Sequence, residues 1–237
     1  MDIIFKDLIK LWGKPINGDD IDLNLPIGLI STDTRTIKKG NFFVPLLGNR
    51  FDGHDYLETA FEIGIQAAII SEKFNGLIPS GLLHWLVPDT LYAYQQIALL
   101  HRRYLNLPVV AITGSVGKTT TRELISSLMS PLGEIVSSKE NENNDIGVPK
   151  TLLRGTVKDA AYVIEMGMRG LGQIERLSRC SEPDIAIITN VGQAHIGILG
   201  SRENIAKAKS EITSNLKSDG VVIIPFGDNL LEKALRK

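Results

Sequence analysis

One segment restricts the fold of this 237-residue chain more than any other: Val109-Val110-Ala111-Ile112-Thr113-Gly114-Ser115-Val116-Gly117-Lys118-Thr119-Thr120. An uncharged, β-branched run enters a turn with two glycines, and beyond it Leu124, Ile125, Leu128 and Met129 recur near helical spacing. A strand that is apolar on both faces needs cover above and below, which a parallel sheet between helices provides. Glycines let backbone N–H groups approach an anion, and the helix amino terminus adds partial positive charge. Thr113, Gly114, Ser115, Val116 and Gly117 supply such a loop. Lys118 is spaced to reach the outer phosphates of a nucleotide, and the Thr119 hydroxyl to ligate Mg²⁺. The general phosphate-loop spacing would need glycine at position 112, where this chain has Ile112; here the order is Gly114-x-x-Gly117-Lys118-Thr119.

The same alternation continues along the chain. Strands are expected at 109–113, 134–137, 161–165, 184–189 and 221–225, and helices at 118–130, 147–153, 172–179 and 202–216. Runs such as Ile185-Ala186-Ile187-Ile188 point to burial on both faces and right-handed crossovers. Upstream, shorter apolar runs at 27–31, 41–47, 67–71 and 82–87 interleave with helices at 56–64 and 89–104. Pro108 disfavours helical geometry in the residue before it. A boundary is therefore expected here, giving one domain over 1–106 and a second over 107–237. The fold class is α/β: a small amino-terminal α/β domain, then a mostly parallel phosphate-loop sheet flanked by helices.

Composition narrows the function classes. With 43% hydrophobic and 22% charged residues the chain can build real cores. Its 26 basic and 27 acidic side chains leave a net charge of -1, which gives no electrostatic reason to expect nucleic acid or a membrane surface. The single Cys180 cannot form an internal disulfide or a cysteine metal cluster. Residues 1–12 read as an amphipathic helix rather than a secretory signal, and no apolar run approaches the roughly 18 residues of a membrane span. A cytoplasmic monomer acting on small molecules is expected.

The shortened loop resembles the ATP loop of the Mur ligase superfamily, whose members join a carboxylate to an amine through an acyl phosphate. Ser31-Thr32-Asp33-Thr34-Arg35, Gly40-Asn41-Phe42-Phe43-Val44 and Arg50-Phe51-Asp52-Gly53-His54-Asp55 are similar to the amino-terminal domain of one branch of that family. Asn143-Asn144-Asp145-Ile146-Gly147-Val148-Pro149, Glu165-Met166-Gly167-Met168 and Ala194-His195 are similar to the central domain of the same branch. The resemblance implies a ligase of peptidoglycan precursor synthesis with ATP and Mg²⁺ as cofactors and UDP-MurNAc-peptide and D-alanyl-D-alanine as substrates. It also implies a chain that stops within the central domain, without a carboxy-terminal domain. Two alternatives stay open: an inactive ATP- and UDP-sugar-binding remnant or fragment, and another Mur or folylpolyglutamate-type ligase.

The remaining candidates divide between residue chemistry and resemblance. Glu165 closes an apolar strand, on the edge where open α/β sheets bind ligands. The resemblance makes it a Mg²⁺ ligand beside Thr119, and makes His195 the ligand of a second Mg²⁺. Lys209 lies beside the stripe Ile205, Ala208, Ile212 and Leu216, where snorkelling alone accounts for a lysine. By resemblance it joins Lys118, Glu165 and His195 as a catalytic residue and can be carbamylated. Asn143 and Asn144 fall in a loop implied to lie near the triphosphate, with Glu142 where related enzymes often carry an aromatic residue. Ser31, Thr32, Arg35, Asn49, Arg50, His54 and Asp55 are implied to bind the UDP-sugar, although turn chemistry explains the same residue types.

Overall fold

The computed structural model describes residues 3–48 and 51–236. The chain divides into two compact units, Met1–Tyr104 and Leu105–Lys237. No helix among the described residues is long and apolar enough to cross a membrane.

The amino-terminal unit contains α1 (Phe5–Trp12), β1 (Ile30–Ser31), β2 (Phe42–Phe43), α2 (Leu57–Ile63), β3 (Ala67–Ser71), β4 (His84–Val87) and α3 (Thr90–Leu105). Its strands form a parallel sheet in the order β1-β2-β3-β4. On one side Trp85 packs against Phe5, Phe42 and Trp12, with ring centroids 6.0, 5.9 and 6.1 Å away. Its indole N–H donates to the Gly13 carbonyl at 2.9 Å, so the polar end of this buried ring is satisfied. A second cluster contains Phe43, Leu57, Ala68 and Ile70. β1 and β2 are shorter than their apolar runs. The Val44 N–H still reaches the Ser31 carbonyl at 2.9 Å, but Pro45 follows and has no N–H to extend the ladder.

The carboxy-terminal unit continues with β5 (Val109–Thr113), α4 (Lys118–Met129), β6 (Glu134–Ser137), α5 (Gly147–Leu152), β7 (Asp159–Glu165) and α6 (Gln173–Ser181). It ends with β8 (Ile185–Ile188), α7 (Ile196–Leu199), α8 (Arg202–Ser210), β9 (Val221–Ile223) and α9 (Asn229–Leu235). The five strands are parallel in the order β6-β7-β5-β8-β9. β5, apolar throughout in sequence, is the central strand and is buried along its length. Ile125 and Met129 of α4 pack on Val110, Ile112 and Val163. Leu124 and Leu128 do not share that face and are exposed, which splits the stripe expected from sequence.

The helix expected over 202–216 also ends early, at Ser210, and a 3₁₀ turn covers Glu211–Thr213. Hydroxyls account for the tightening. Ser210 Oγ donates to the Ala206 carbonyl, Thr213 Oγ1 to that of Ser210 and Ser178 Oγ to that of Ile212, each competing for carbonyls a longer helix would use. Because the sheet is parallel, the carboxyl ends of β5, β7 and β8 share one edge. Residues 113, 165 and 188 mark it, and open α/β sheets bind ligands there.

Candidate functional site

The loop between β5 and α4 is fixed from beneath and from one side. Thr113 is 1% exposed, and its hydroxyl donates to the Met166 carbonyl at 2.9 Å. Its side chain therefore ties β5 to the segment after β7 instead of facing a ligand, a different task from the loop contact expected. A Cβ on Gly114 would lie 1.8 Å from Thr189 Oγ1, so only glycine fits. Gly117 precedes α4 at φ +82, in the left-handed region, and its Cβ position opens onto free space. The helix amino terminus beyond it thus keeps its orphan N–H donors uncovered. Lys118 Nζ lies back across the loop, donating to the Gly114 carbonyl at 3.0 Å.

The segment after β8 holds the loop's outer side, a role not marked in the sequence. The N–H groups of Ser115 and Val116 donate to the carbonyl and Oδ1 of Asn190, both at 3.2 Å. The Val116 carbonyl accepts from Thr189 Oγ1 at 2.6 Å and from Asn190 Nδ2 at 3.0 Å. Ser115 Oγ accepts from the Gly192 N–H at 2.9 Å. The available signal was positional: Thr189 and Asn190 directly follow β8, on the edge that carries Glu165.

Glu165 is 6% exposed at the end of β7 and stands in register with Ile112 of β5. One carboxylate oxygen accepts from the Thr119 hydroxyl at 2.9 Å, and the other from Asn143 Nδ2 at 2.9 Å. Its own N–H donates to Ser138 Oγ at 3.0 Å. Asn144 takes a different part: its Oδ1 accepts from the N–H groups of Ile146 and Gly147 at 3.1 and 2.9 Å, which shapes the turn into α5. Mg²⁺ takes oxygen ligands and keeps several waters. Thr119 and Glu165 offer two oxygens at the mouth of a phosphate loop, so the donor set fits that ion beside a nucleotide. Among the described residues no group of three His, Cys, Asp or Glu side chains could hold a metal unaided.

Lys209, on α8, is 2% exposed, and its side chain has no hydrogen bond or ion pair among the described residues. It does not snorkel. Burial pushes its pKa down to about 8, and the nearby charge of Lys118 adds to the effect. His195 precedes α7 at φ +66, is exposed, and has no side-chain partner among the described residues. The structure thus joins Thr119 and Asn143 to Glu165 by hydrogen bonds, sets Lys209 within reach of the charge of Lys118, and does not tie His195 to either group.

In the amino-terminal unit the marked residues mostly serve their own chain. Ser31 Oγ donates to the Asp33 carbonyl at 3.1 Å, and the exposed Arg35 grips the Asp33 carboxylate with two N–H groups at 2.9 and 2.7 Å. Thr32 is half-buried, and Asn49 and Arg50 lie outside the described residues. His54 is 3% exposed and stacks on Phe74 at 5.0 Å. Its Nε2 accepts the Ser71 N–H at 3.0 Å, which leaves the proton on Nδ1 facing Asp52 at 2.5 Å. Asp52, although burial alone would raise its pKa, is held below the usual carboxylate range by the N–H groups of His54. Both imidazole nitrogens are occupied. The ring instead walls a cleft of about 700 Å³, with Asp55, Lys73, Phe74, Asn75 and Asp89, beyond the carboxyl ends of β3 and β4. His54→Leu should destabilise this unit by about 2–3 kcal/mol, because the Ser71 N–H would lose its acceptor and the Asp52 carboxylate would keep only the backbone N–H of residue 54. Urea unfolding checks this, and a loss under about 0.5 kcal/mol would contradict it.

The model of the Mur ligase middle domain matches residues 112–237, and that of the Mur ligase family catalytic domain matches residues 26–100. UDP-N-acetylmuramoyl-tripeptide--D-alanyl-D-alanine ligase of Synechocystis is 41% identical over 90% of this chain and 47% of its own length. The Bacillus subtilis protein of that name is 42% identical over 86% of this chain and 45% of its own. Among solved structures, MurF from Acinetobacter baumannii superimposes with a TM-score of 0.88 at 34% identity, covering 98% of this chain and 51% of that one. MurF ligase from Thermotoga maritima in complex with ADP gives 0.80 at 28% identity, covering 89% and 48%. The chain spans about half the length of the curated relatives it matches.

Proposed function

The chain belongs to the Mur ligase family, and from that premise we propose that it is the nucleotide-binding and UDP-sugar-binding part of a cytoplasmic ligase that adds D-alanyl-D-alanine to UDP-MurNAc-tripeptide. In the whole reaction a substrate carboxylate takes the γ-phosphoryl group of ATP and releases ADP. The amine of D-alanyl-D-alanine then displaces phosphate from the acyl phosphate and forms the amide. The observation that carries the proposal is the Thr119–Glu165 contact at the mouth of the Gly114–Lys118 loop.

This chain's residues have definable tasks in that reaction. Loop N–H groups and the start of α4 receive phosphate oxygens, Ser115 and Val116 exchanging their bonds to Asn190 for the ligand. Lys118 leaves the Gly114 carbonyl and neutralises charge on the transferred phosphoryl group. Thr119 and Glu165 would hold Mg²⁺, which when bound offsets the negative charge of the phosphates. Lys209 adds a second positive group behind Lys118. Held at about 8, it is partly neutral near that pH, and that neutral form can instead take up CO₂, exchanging the positive charge for the anionic carbamate implied by the family resemblance. The cleft after β3 and β4, on the same sheet edge as Ser31, is the place proposed for the UDP-sugar.

Calorimetry with ADP and Mg²⁺ tests the nucleotide half. Lys118→Ala should weaken binding by roughly tenfold to a hundredfold, the value of a charged hydrogen bond to phosphate. Unchanged affinity would refute the assignment. Titration with UDP-MurNAc-tripeptide and, separately, a folate tests the other half; folate binding alone would favour the folylpolyglutamate-type alternative. ADP binding without phosphate release in the presence of both substrates would identify a binding fragment.

A further inference from the structure

The segment from Ser138 to Gly147 runs from the end of β6 to the start of α5, and it touches Glu165 twice. Ser138 Oγ accepts the Glu165 N–H at 3.0 Å, and Asn143 Nδ2 donates to its carboxylate at 2.9 Å. The Asn143 carbonyl also accepts the Gly167 N–H at 2.7 Å, so this strap fixes both the carboxylate and the backbone that follows it. Turns within the strap, among them the Asn144 Oδ1 contacts with the Ile146 and Gly147 N–H groups, shape it only locally. Asn141 sits at φ +63, and Gly147 packs so closely that a Cβ there would lie 2.4 Å from Glu142 Cα.

A charge cluster centred on Glu142 anchors the middle of the strap, beside Asn143, while Arg122 on the Ser138 carbonyl and Arg176 on the Asp145 carboxylate hold its two ends. The Glu142 carboxylate receives Arg154 Nη1 at 2.5 Å, Lys150 Nζ at 3.1 Å, Thr151 Oγ1 at 3.3 Å and the Lys139 N–H at 3.2 Å. Arg154 also donates to the Ser137 carbonyl at 2.8 Å, so it joins the end of β6 to the strap. The residue is 9% exposed. Burial alone would raise its pKa, yet Arg154 and Lys150 keep it ionised. Such a partly desolvated cluster is worth more than a surface pair, and it clamps the strap beside Asn143.

We infer that Glu142, anchored by Arg154 and Lys150, is a positioning residue: it holds the strap so that Asn143 pins one oxygen of Glu165 and aims the other at the Thr119 hydroxyl and a nucleotide-bound cation. Glu142 does not reach the site itself and acts through Asn143. The inference rests on the proposed nucleotide and Mg²⁺ site. It assigns metal affinity, rather than nucleotide affinity as such, to a cluster outside that site.

The test measures ADP affinity by calorimetry with Mg²⁺ and with EDTA, in this chain and in Glu142→Ala. Loss of an outer-shell partner typically weakens a metal site by about 10–100-fold. The tightening of ADP binding by Mg²⁺ should therefore fall by about tenfold in the variant, while the EDTA value stays within about twofold. In an Asn143→Ala background the same change should add little, since both act on one contact. Equal losses with Mg²⁺ and EDTA, additive losses with Asn143→Ala, or full tightening in a folded Glu142→Ala protein would each overturn the inference. If Glu142→Ala does not fold, Arg154→Ala, which leaves Lys150 beside the carboxylate, decides by the same comparison. Absence of Mg²⁺-dependent ADP binding in the unaltered chain would instead refute the nucleotide site.

Discussion

Gly114→Ala is expected to abolish measurable ADP binding and to destabilise the carboxy-terminal unit by about 1–3 kcal/mol. A Cβ at this position would lie 1.8 Å from Thr189 Oγ1 and 3.0 Å from Thr189 Cβ, so rotation of one hydroxyl cannot make room. Turning the threonine about χ1 brings forward either its methyl group or its β-hydrogen, and in neither case does its Cβ move from 3.0 Å. It would also break the 2.6 Å bond from Thr189 to the Val116 carbonyl, one of the contacts that shapes the loop. The loop must therefore move off β8, and its N–H groups lose their convergence. Thr189→Ala in the Gly114→Ala background removes the closest atom and should recover part of the stability without restoring binding. Gly117→Ala is a useful contrast: its Cβ meets nothing, and the φ of +82 should cost only about 1 kcal/mol. ADP affinity within about threefold of the unaltered chain in Gly114→Ala would contradict the geometry argued here.

The difference between these glycines shows which parts of the site were legible in sequence. β5 could be read because an uncharged run, a glycine turn and an amphipathic stretch follow one another locally, and each restricts the backbone in its own way. The acid at the end of β7 was legible for a related reason, since parallel topology sends every strand's carboxyl end to one edge. Asn190 was not, because its value comes from bonding a loop more than 70 residues away, and no spacing rule encodes that pairing. Glu142 was hidden for a similar reason. Its cations are at Lys150 and Arg154, and a charge in an asparagine-rich loop reads as solvated until the fold buries it. Thr113 and His54 carry structural duties that residue type does not reveal. Their residue types suit ligand binding, but the structure uses the hydroxyl and both ring nitrogens to satisfy buried backbone and carboxylate groups.

Lys209→Met should stabilise the chain at pH 7 while weakening its hold on nucleotide. A buried ammonium with no partner among the described residues, held at about 8 rather than 10.5, carries a penalty on the order of 3 kcal/mol. The sign follows from proton counting. Below about pH 8 both the folded and unfolded chains keep this proton, so the penalty is present in full. Between about 8 and 10.5 the folded chain has released it and the unfolded chain has not, so stability rises with pH and the penalty disappears. The advantage of Lys209→Met over the unaltered chain should therefore be about 1–3 kcal/mol at pH 7 and close to zero at the top of that window. Taking the difference between the two proteins cancels the other titrating groups. Nucleotide reverses the situation, because phosphate charge beside Lys118 and Lys209 favours the ammonium. ADP binding near pH 8 should then take up protons, seen as a dependence of the calorimetric heat on buffer ionisation, and Lys209→Met should lack that uptake and bind about tenfold more weakly. A variant that is less stable at every pH, or that keeps the proton uptake, would show that Lys209 is a packed structural lysine and not a charge held in reserve for phosphate.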